Sequence, residues 1–480
     1  MSFNSFNFWL IYPFIFGIYW FIPGRFNQYR KAFLVLMSYL LYMSWKPAFA
    51  LVLLGVSLVT YCGGRSYERC LRLDALAGKR NLIRRSCFWL YILLGTSPLL
   101  IFKYYNFFNE NIVACLDALG LHFALPGLNC AVPLGISFFT FQSVGYMLDV
   151  YHGRVEVEKN LLDYLLFVSF FPQVTAGPIS RLDELMPQIK AVHTFKYEQA
   201  RQGLKLLLWG MFIKLVIADR LGLFVDAVYS NYSRYNGSTC ILASLFYSIQ
   251  IYCDFSGYSL MAIGIARTLG FNLPNNFRRP YFAVSITDFW RRWHITLTQW
   301  LTRQVYFPLG GSHCRKARNY LNILLTFLVS GIWHGANWTF IVWGCIHGVL
   351  QIIEKYAGWQ KYEGGNKIIK VIRILLIFML TNMAWIFFRM PDVGSALGFI
   401  NHMFQASGRP KLSLIGLPGL LMSVTGLVIL MFKDVKDEFF SQRFTFLQLC
   451  FVRWSIYVIL FCMIIMIGVL DGGQFIYTVF

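Results

Sequence analysis

The chain has 480 residues, of which 57% are hydrophobic, 18% aromatic and only 14% charged, where a soluble domain carries about 25% charged residues. That excludes a water-soluble globule, and the apolar residues stand in blocks long enough for a hydrocarbon core, which takes roughly 20 helical residues to cross. The formal net charge of +21 could suggest nucleic acid, but the basic residues form short clusters between apolar blocks, the positive-inside pattern, so the expected environment is membrane lipid and no nucleic-acid partner is expected.

Apolar blocks run from Phe8 to Ile22, Ser86 to Phe102, Leu161 to Phe171, Ile241 to Ile265, Leu321 to Trp333, Trp338 to Ile353, Val371 to Phe388, Leu412 to Phe432 and Ile456 to Leu470. They predict about ten to twelve membrane-embedded helices, with loops too short for a second domain; residues 1–480 are read as one transmembrane domain. The first block lacks a basic leader and an A-x-A-like cleavage site, so it is expected to stay as a helix. Basic clusters at Arg25, Arg30 and Lys31 and at Arg65, Arg69, Arg72, Lys79, Arg80, Arg84 and Arg85 flank the stretch Ala32 to Cys62, which Trp45, Lys46 and Pro47 interrupt. If both clusters are cytoplasmic the stretch is a hairpin turning at Lys46-Pro47; the alternative is one long kinked helix.

Further along, Val132 to Tyr151 mixes Gly, Ser, Thr and Gln among aromatics, and FPQVTAGPI (171 to 179) packs two prolines and a glycine into nine residues. Neither reads as a plain spanning helix. Backbone that leaves helical geometry at membrane depth needs protein or a water-filled cavity to satisfy it, so these segments are expected to wall a central cavity or funnel; the plainer alternative is kinks at helix ends. Ser285 to Gln304 reads as one amphipathic helix lying in the interface plane, opened by a capping-box-like Ser285 and Asp288, with His294 on the flank of its apolar face.

Eleven cysteines without a CxxC pair read as small core residues. No structural-zinc spacing, Walker A sequence or GxSxG elbow is present, so metal, nucleotide and serine-hydrolase chemistry lack support. Among eight histidines, His334 stands apart in GIWHGANW, between two apolar blocks and flanked by Gly331 and Gly335. An ionisable residue at membrane depth is a functional candidate, although a buried neutral histidine can also simply bond a neighbouring helix. A neutral imidazole is available as a general base near pH 7, the service an alcohol needs when it attacks a thioester. His294 could orient the donor, stabilise oxyanion charge or share the proton traffic.

GISFFTFQSVGYMLDVY (135 to 151), FPQVTAGPI, YCDFSGYSLMAIGIARTLGF (252 to 271), FWRRWHITLTQWL (289 to 301) and GIWHGANW (331 to 338) together resemble the membrane-bound O-acyltransferase (MBOAT) family. Within it they are most similar to the bacterial branch of alginate O-acetylation and teichoic acid D-alanyl transfer. The likeness runs from the opening SFNSFNFWLIYPF to the closing QFIY; Thr175 and the last three residues depart from the usual pattern. The resemblance implies an all-α, polytopic transmembrane fold with re-entrant and interfacial helices around a central tunnel. It assigns the essential histidine to His334 and the second signature position to His294, and it makes Asp254, Ser256, Gln173, Trp333 and Asn337 tunnel or substrate-binding residues.

A basic rim of Arg278, Arg279, Arg291 and Arg292, continued by Arg303, Arg315, Lys316 and Arg318, would suit an acidic carrier protein or the phosphates of coenzyme A; topology marking alone would also explain it. The resemblance thus implies no bound cofactor or metal, with acyl-CoA or an acyl-carrier protein as donor substrate. The expected function is transfer of an acyl group, acetyl by preference, from a cytoplasmic thioester across the bacterial inner membrane toward an exported polysaccharide. A glycan acceptor or a periplasmic acyltransferase-like partner would receive it. The alternatives are D-alanyl transfer to teichoic acid, a transporter or flippase, and a structural assembly subunit.

Overall fold

A backbone surrounded by hydrocarbon must satisfy its own N–H and C=O groups, and the described residues of the chain are built almost wholly of helices, with no strand among them. The computed structural model describes all residues except 1–2, 4, 78–80, 123–125, 362–363, 406–407, 441–448 and 470–480. Lys79, Arg80 and the closing QFIY therefore lie outside the described residues. Contacts divide the chain into two units, residues 1–204 with 262–274, and 205–261 with 275–480.

Among the described residues, four helices are long and apolar enough to cross a membrane: Pro47–Leu71, Arg84–Ala118, Lys367–Arg389 and Cys450–Ile467. Phe6–Phe21 with Gly24–Met43, bent by 103°, make a fifth candidate. By that measure there are fewer spans than the ten to twelve embedded helices expected. Some apolar blocks yield short helices, such as Leu161–Ser169; others carry buried polar side chains, such as Asn319, Asn322 and Ser330.

The first unit begins with α1 (Phe6–Phe21), α2 (Asn27–Met43) and α3 (Pro47–Ala77). The chain breaks at residues 44–46, at the turn expected from Lys46-Pro47: Pro47 opens α3, where its missing N–H does no harm. Arg30 and Lys31, read as topology markers, are instead buried and bonded; Lys31 pairs with Asp163 at 2.5 Å and Arg30 donates to the carbonyls of Ile22 and His193, each at 2.7 Å. Then come α4 (Asn81–Leu99), α5 (Tyr105–Ala118), α6 (Ile136–Tyr151), α7 (Leu161–Ser169) and α8 (Leu182–Lys190), with α9 (Tyr197–Met211) leading out.

The expectation of broken backbone at 132–151 is corrected, because α6 is a regular helix from Ile136 onward. Its polar residues bond within the unit: Ser143 donates to Phe139 O at 2.7 Å and Gln142 to Phe167 O at 2.6 Å. Irregular backbone is confined to the segment before it and to 171–179, which runs as consecutive turns. The two meet at Gly135, whose φ of 72° suits glycine and where a Cβ would fall 2.3 Å from the Val174 carbonyl oxygen.

The second unit holds α10 (Asp219–Tyr229), most of α11 (Gly237–Thr268), α12 (Ile286–Arg292), α13 (Ile295–Leu301), α14 (Lys316–His334), α15 (Trp338–Tyr356), α16 (Lys367–Arg389), α17 (Val393–Gln405), α18 (Gly416–Phe439) and α19 (Cys450–Ile467). Its core is aromatic, with Trp293, Trp343 and Trp385 fully buried. The cysteines are not mainly core residues as expected: Cys240 and Cys253 are buried, but Cys62, Cys115, Cys130, Cys450 and Cys462 are exposed.

α14 and α15 form a hairpin pressed together by glycines in the spacing GIWHG and GCIHG, the small-xxx-small device that lets helix backbones touch. A Cβ at Gly331 would lie 2.3 Å from the Phe340 carbonyl oxygen, and one at Gly344 2.5 Å from that of Phe327. Because backbone cannot yield as a flexible side chain can, Gly331→Ala should destabilise the protein by about 1–3 kcal/mol, the usual cost of overpacking. Thermal unfolding in detergent checks this, with Gly17→Ala, where the new methyl meets nothing within 4 Å, expected to lose far less.

Candidate active site

The predicted single helix over Ser285 to Gln304 is corrected: it breaks at His294 into α12 and α13, followed by a π-helical turn over Thr302–Tyr306. The predicted start holds, since Ser285 Oγ accepts the Asp288 N–H at 2.9 Å. The break arises because the Ile295 N–H donates to the Asn276 carbonyl at 2.9 Å rather than to the preceding turn, and Arg278 N–H donates to Arg292 O at 2.9 Å. His294 takes φ 41°, one of two positive-φ non-glycine residues among those described. Such backbone costs on the order of 1–3 kcal/mol and persists where surroundings impose it.

That geometry turns the His294 ring inward, where it is fully buried. Its Nδ1 lies 3.1 Å from Asn276 Oδ1. The ring meets Phe255 edge-on with centroids 4.7 Å apart, and Trp333 at 5.7 Å. Trp333 also touches the ring of His334, at 4.9 Å. One indole therefore contacts both predicted histidines. His334 is the last residue of α14 and 2% exposed, enclosed by Trp333, Trp343 at 4.9 Å and Phe388 at 5.1 Å.

A cavity of about 330 Å³ opens alongside. Thr287, Arg291, Gln351, Lys355 and Gln360 give it a polar, basic part; Trp290, Leu297, Phe327 and Ser330 give it an apolar one. Ile323, Phe327 and Ser330 follow one face of α14, and His334 stands four residues beyond Ser330 on that face, about one helical turn or 5–6 Å.

The other expected site residues lie in different surroundings. Within the second unit, Asp254 is buried in an ion triad with Lys214 and Asp219, the Lys214–Asp219 contact being 2.6 Å. Ser256 is buried two residues on. Asn337 caps α15: its Oδ1 accepts the Thr339 N–H at 2.9 Å and its Nδ2 donates to Pro391 O at 2.6 Å. In the first unit, Gln173 Nε2 donates to Phe167 O at 3.0 Å and its Oε1 accepts the Ser180 hydroxyl at 2.9 Å, fixing the turn of 171–179.

The basic rim is divided as well. Arg291 is exposed and lines the cavity, and Arg278 is exposed. Arg279 and Arg292 instead clamp Glu438 at 2.8 and 2.9 Å, Arg292 also bonding Asp288 at 2.9 Å. Sequence reading passed over Asn276, Glu438, Trp343 and His347. Asn276 sits in NNFRRPY, where two asparagines amid apolar residues were the only hint; GCIHG, repeating the spacing around His334, could have flagged His347.

Glu438 lies at the charged end of α18, past its apolar run. Burial pushes its carboxyl up, but the hydrogen bonds and charges of Arg279 and Arg292 outweigh this and hold it below its ordinary value. A depressed carboxylate adds stability above its unfolded pKa, and that stability is lost as pH falls through the folded one. Glu438→Gln should therefore lower the thermal midpoint at neutral pH, and the two proteins should converge in melts run below the ordinary carboxylate range.

The membrane-bound O-acyltransferase (MBOAT) family model matches residues 155–390, a span containing both histidines and the whole cavity. The chain is 35% identical over 448 residues to the Pseudomonas syringae pv. tomato protein named "Probable alginate O-acetylase AlgI", covering 92% of this chain and 83% of that one. It is 35% identical over 406 residues to the Helicobacter pylori "Peptidoglycan O-acetyltransferase", covering 79% and 75%. To the Bacillus subtilis "Teichoic acid D-alanyltransferase" it is 27% identical over 261 residues, covering 51% and 65%. Likeness of that depth over most of the length, joined to apolar spans and the paired histidines, establishes that the chain belongs to the membrane-bound O-acyltransferase family and is a multi-pass membrane O-acyltransferase.

Proposed function

We propose that the protein moves an acetyl group from a cytoplasmic thioester, acyl-CoA or an acyl-carrier protein, to a hydroxyl of an exported polysaccharide in the bacterial inner membrane. Transfer is direct or passes through a periplasmic partner. The observation that carries this reading is the position of His334 one helical turn beyond Ser330, which lines a cavity that also carries Arg291 and Lys355. In this reading Arg291 and Lys355 attract the donor's phosphates or an acidic carrier, and the slender arm runs along α14 past Phe327 and Ser330.

His334 then accepts the hydroxyl proton as the acceptor oxygen attacks the thioester carbonyl carbon. Collapse of the tetrahedral intermediate breaks the C–S bond, and the imidazolium returns the proton to the leaving thiolate. The products are an ester and a free thiol, with no redox change. Trp333, Trp343 and Phe388 exclude water, which would otherwise compete as nucleophile.

Acetyl transfer is favoured over D-alanyl transfer because the two O-acetyl-transfer relatives match at 35% over most of the chain, whereas the D-alanyl relative matches at 27% over about half. That both alginate and peptidoglycan enzymes match equally well supports a glycan acceptor without choosing between them.

With purified protein in liposomes given labelled acetyl thioester and an acceptor glycan, His334→Ala should cut ester formation by at least the roughly 10²- to 10⁴-fold that a positioned base supplies, while the protein still folds. Normal transfer by that variant would refute the base assignment. Movement of acceptor across the bilayer without new ester would favour a transporter. Arg291→Glu with Lys355→Glu should raise the KM for donor, leave kcat nearly unchanged and weaken the salt dependence of the KM.

A further inference from the structure

We infer that Asn276 is a positioning residue that holds His294 in the Nδ1–H tautomer, so that His294 presents a lone pair at Nε2 and acts as a proton acceptor; this deepens the acyl-transfer reading above and rests on it for the role in turnover. The Thr296 backbone N–H lies 3.3 Å from Asn276 Oδ1 and the Thr296 hydroxyl 3.0 Å from it. A backbone N–H only donates, so the carboxamide atom facing it must be the oxygen. The carboxamide nitrogen agrees, since it donates to Ser259 Oγ at 3.3 Å.

An acceptor oxygen 3.1 Å from His294 Nδ1 requires a proton on that nitrogen. In a neutral imidazole only one nitrogen carries a proton, so Nε2 bears the lone pair. The Asn276 backbone serves the same end, because its carbonyl takes the Ile295 N–H at 2.9 Å and fixes the turn from which the ring projects. The histidine is thus held at its backbone and at its ring by one residue eighteen positions earlier. Neutral His294 in this tautomer cannot give an oxyanion the Nε2–H bond that one of the sequence-based roles required. It can take a proton there.

The test reads the tautomer and turnover separately. Full-length protein with ¹⁵N-labelled histidine, reconstituted in lipid, is studied by solid-state NMR, the His294 signals being those missing from His294→Gln. The wild type should show a protonated Nδ1 and a bare Nε2; a protonated Nε2 would overturn the inference whether or not any acyl transfer is detected. Asn276→Leu, which removes the acceptor, should lose the tautomer preference and lower kcat at least tenfold with little change in donor KM. Asn276→Asp, which keeps an acceptor and lets Ser259 donate instead, should restore both the tautomer and kcat to within a few-fold of wild type. An Asn276→Asp protein that folds but stays as slow as Asn276→Leu would show that Asn276 acts only in packing, as would an Asn276→Leu protein with normal kcat.

Discussion

The peptide N–H of Ile295 reaches sideways to the Asn276 carbonyl instead of back along its own helix, and the shape of the histidine site depends on that diversion. Had residues 285–304 continued as one helix, His294 would have ridden on its flank at the edge of the apolar face. With the chain broken there, the ring points into the core of the second unit and meets Phe255 and Trp333. The left-handed φ at His294 is the local cost, offset by the burial of Trp293 beside it and by the hydrogen bonds of Asn276.

The second histidine is placed by a different device. Glycines on α14 and α15 bring two helix backbones into contact near the end of α14, whose last residue is His334. Aromatic rings then fill the space around both histidines, and Trp333 touches each of them. Under the proposed mechanism such an enclosed setting suits proton transfer from an attacking hydroxyl, since groups already in place cost no reorganisation when charge develops. The cavity alongside is lined by both basic and apolar side chains, which is why the proposed donor is a phosphate-bearing thioester.

Much of this was legible in the sequence, because it depends on local or compositional signals. Few charges among long apolar runs specify a membrane protein; Lys46-Pro47 marks a turn because proline cannot continue a helix from behind; GIWHG announces both a close helix contact and its histidine. What stayed hidden depends on distant partners. Two seven-residue helices end to end carry nearly the same apolar periodicity as one long helix, so the break at His294 could not be read without Asn276. The polar residues of α6 looked like signs of broken backbone, but Gln142 is satisfied by Phe167 O, twenty-five positions away. Arg279 and Arg292 looked like free rim charges because Glu438 lies far along the chain.

The account turns on whether a donor thioester can bring its sulfur and acyl carbon to His334. A structure of the protein in lipid with a non-hydrolysable thioether analogue of the acetyl donor tests this most directly. The expected result is an arm lying along α14 between Arg291 and Ser330, with the carbon that replaces the acyl carbon facing His334 across a gap that fits one acceptor oxygen, roughly 3–3.5 Å from that carbon in a near-attack geometry. An analogue bound elsewhere, with Trp333, Trp343 and Phe388 still closed over the His334 ring, would contradict it.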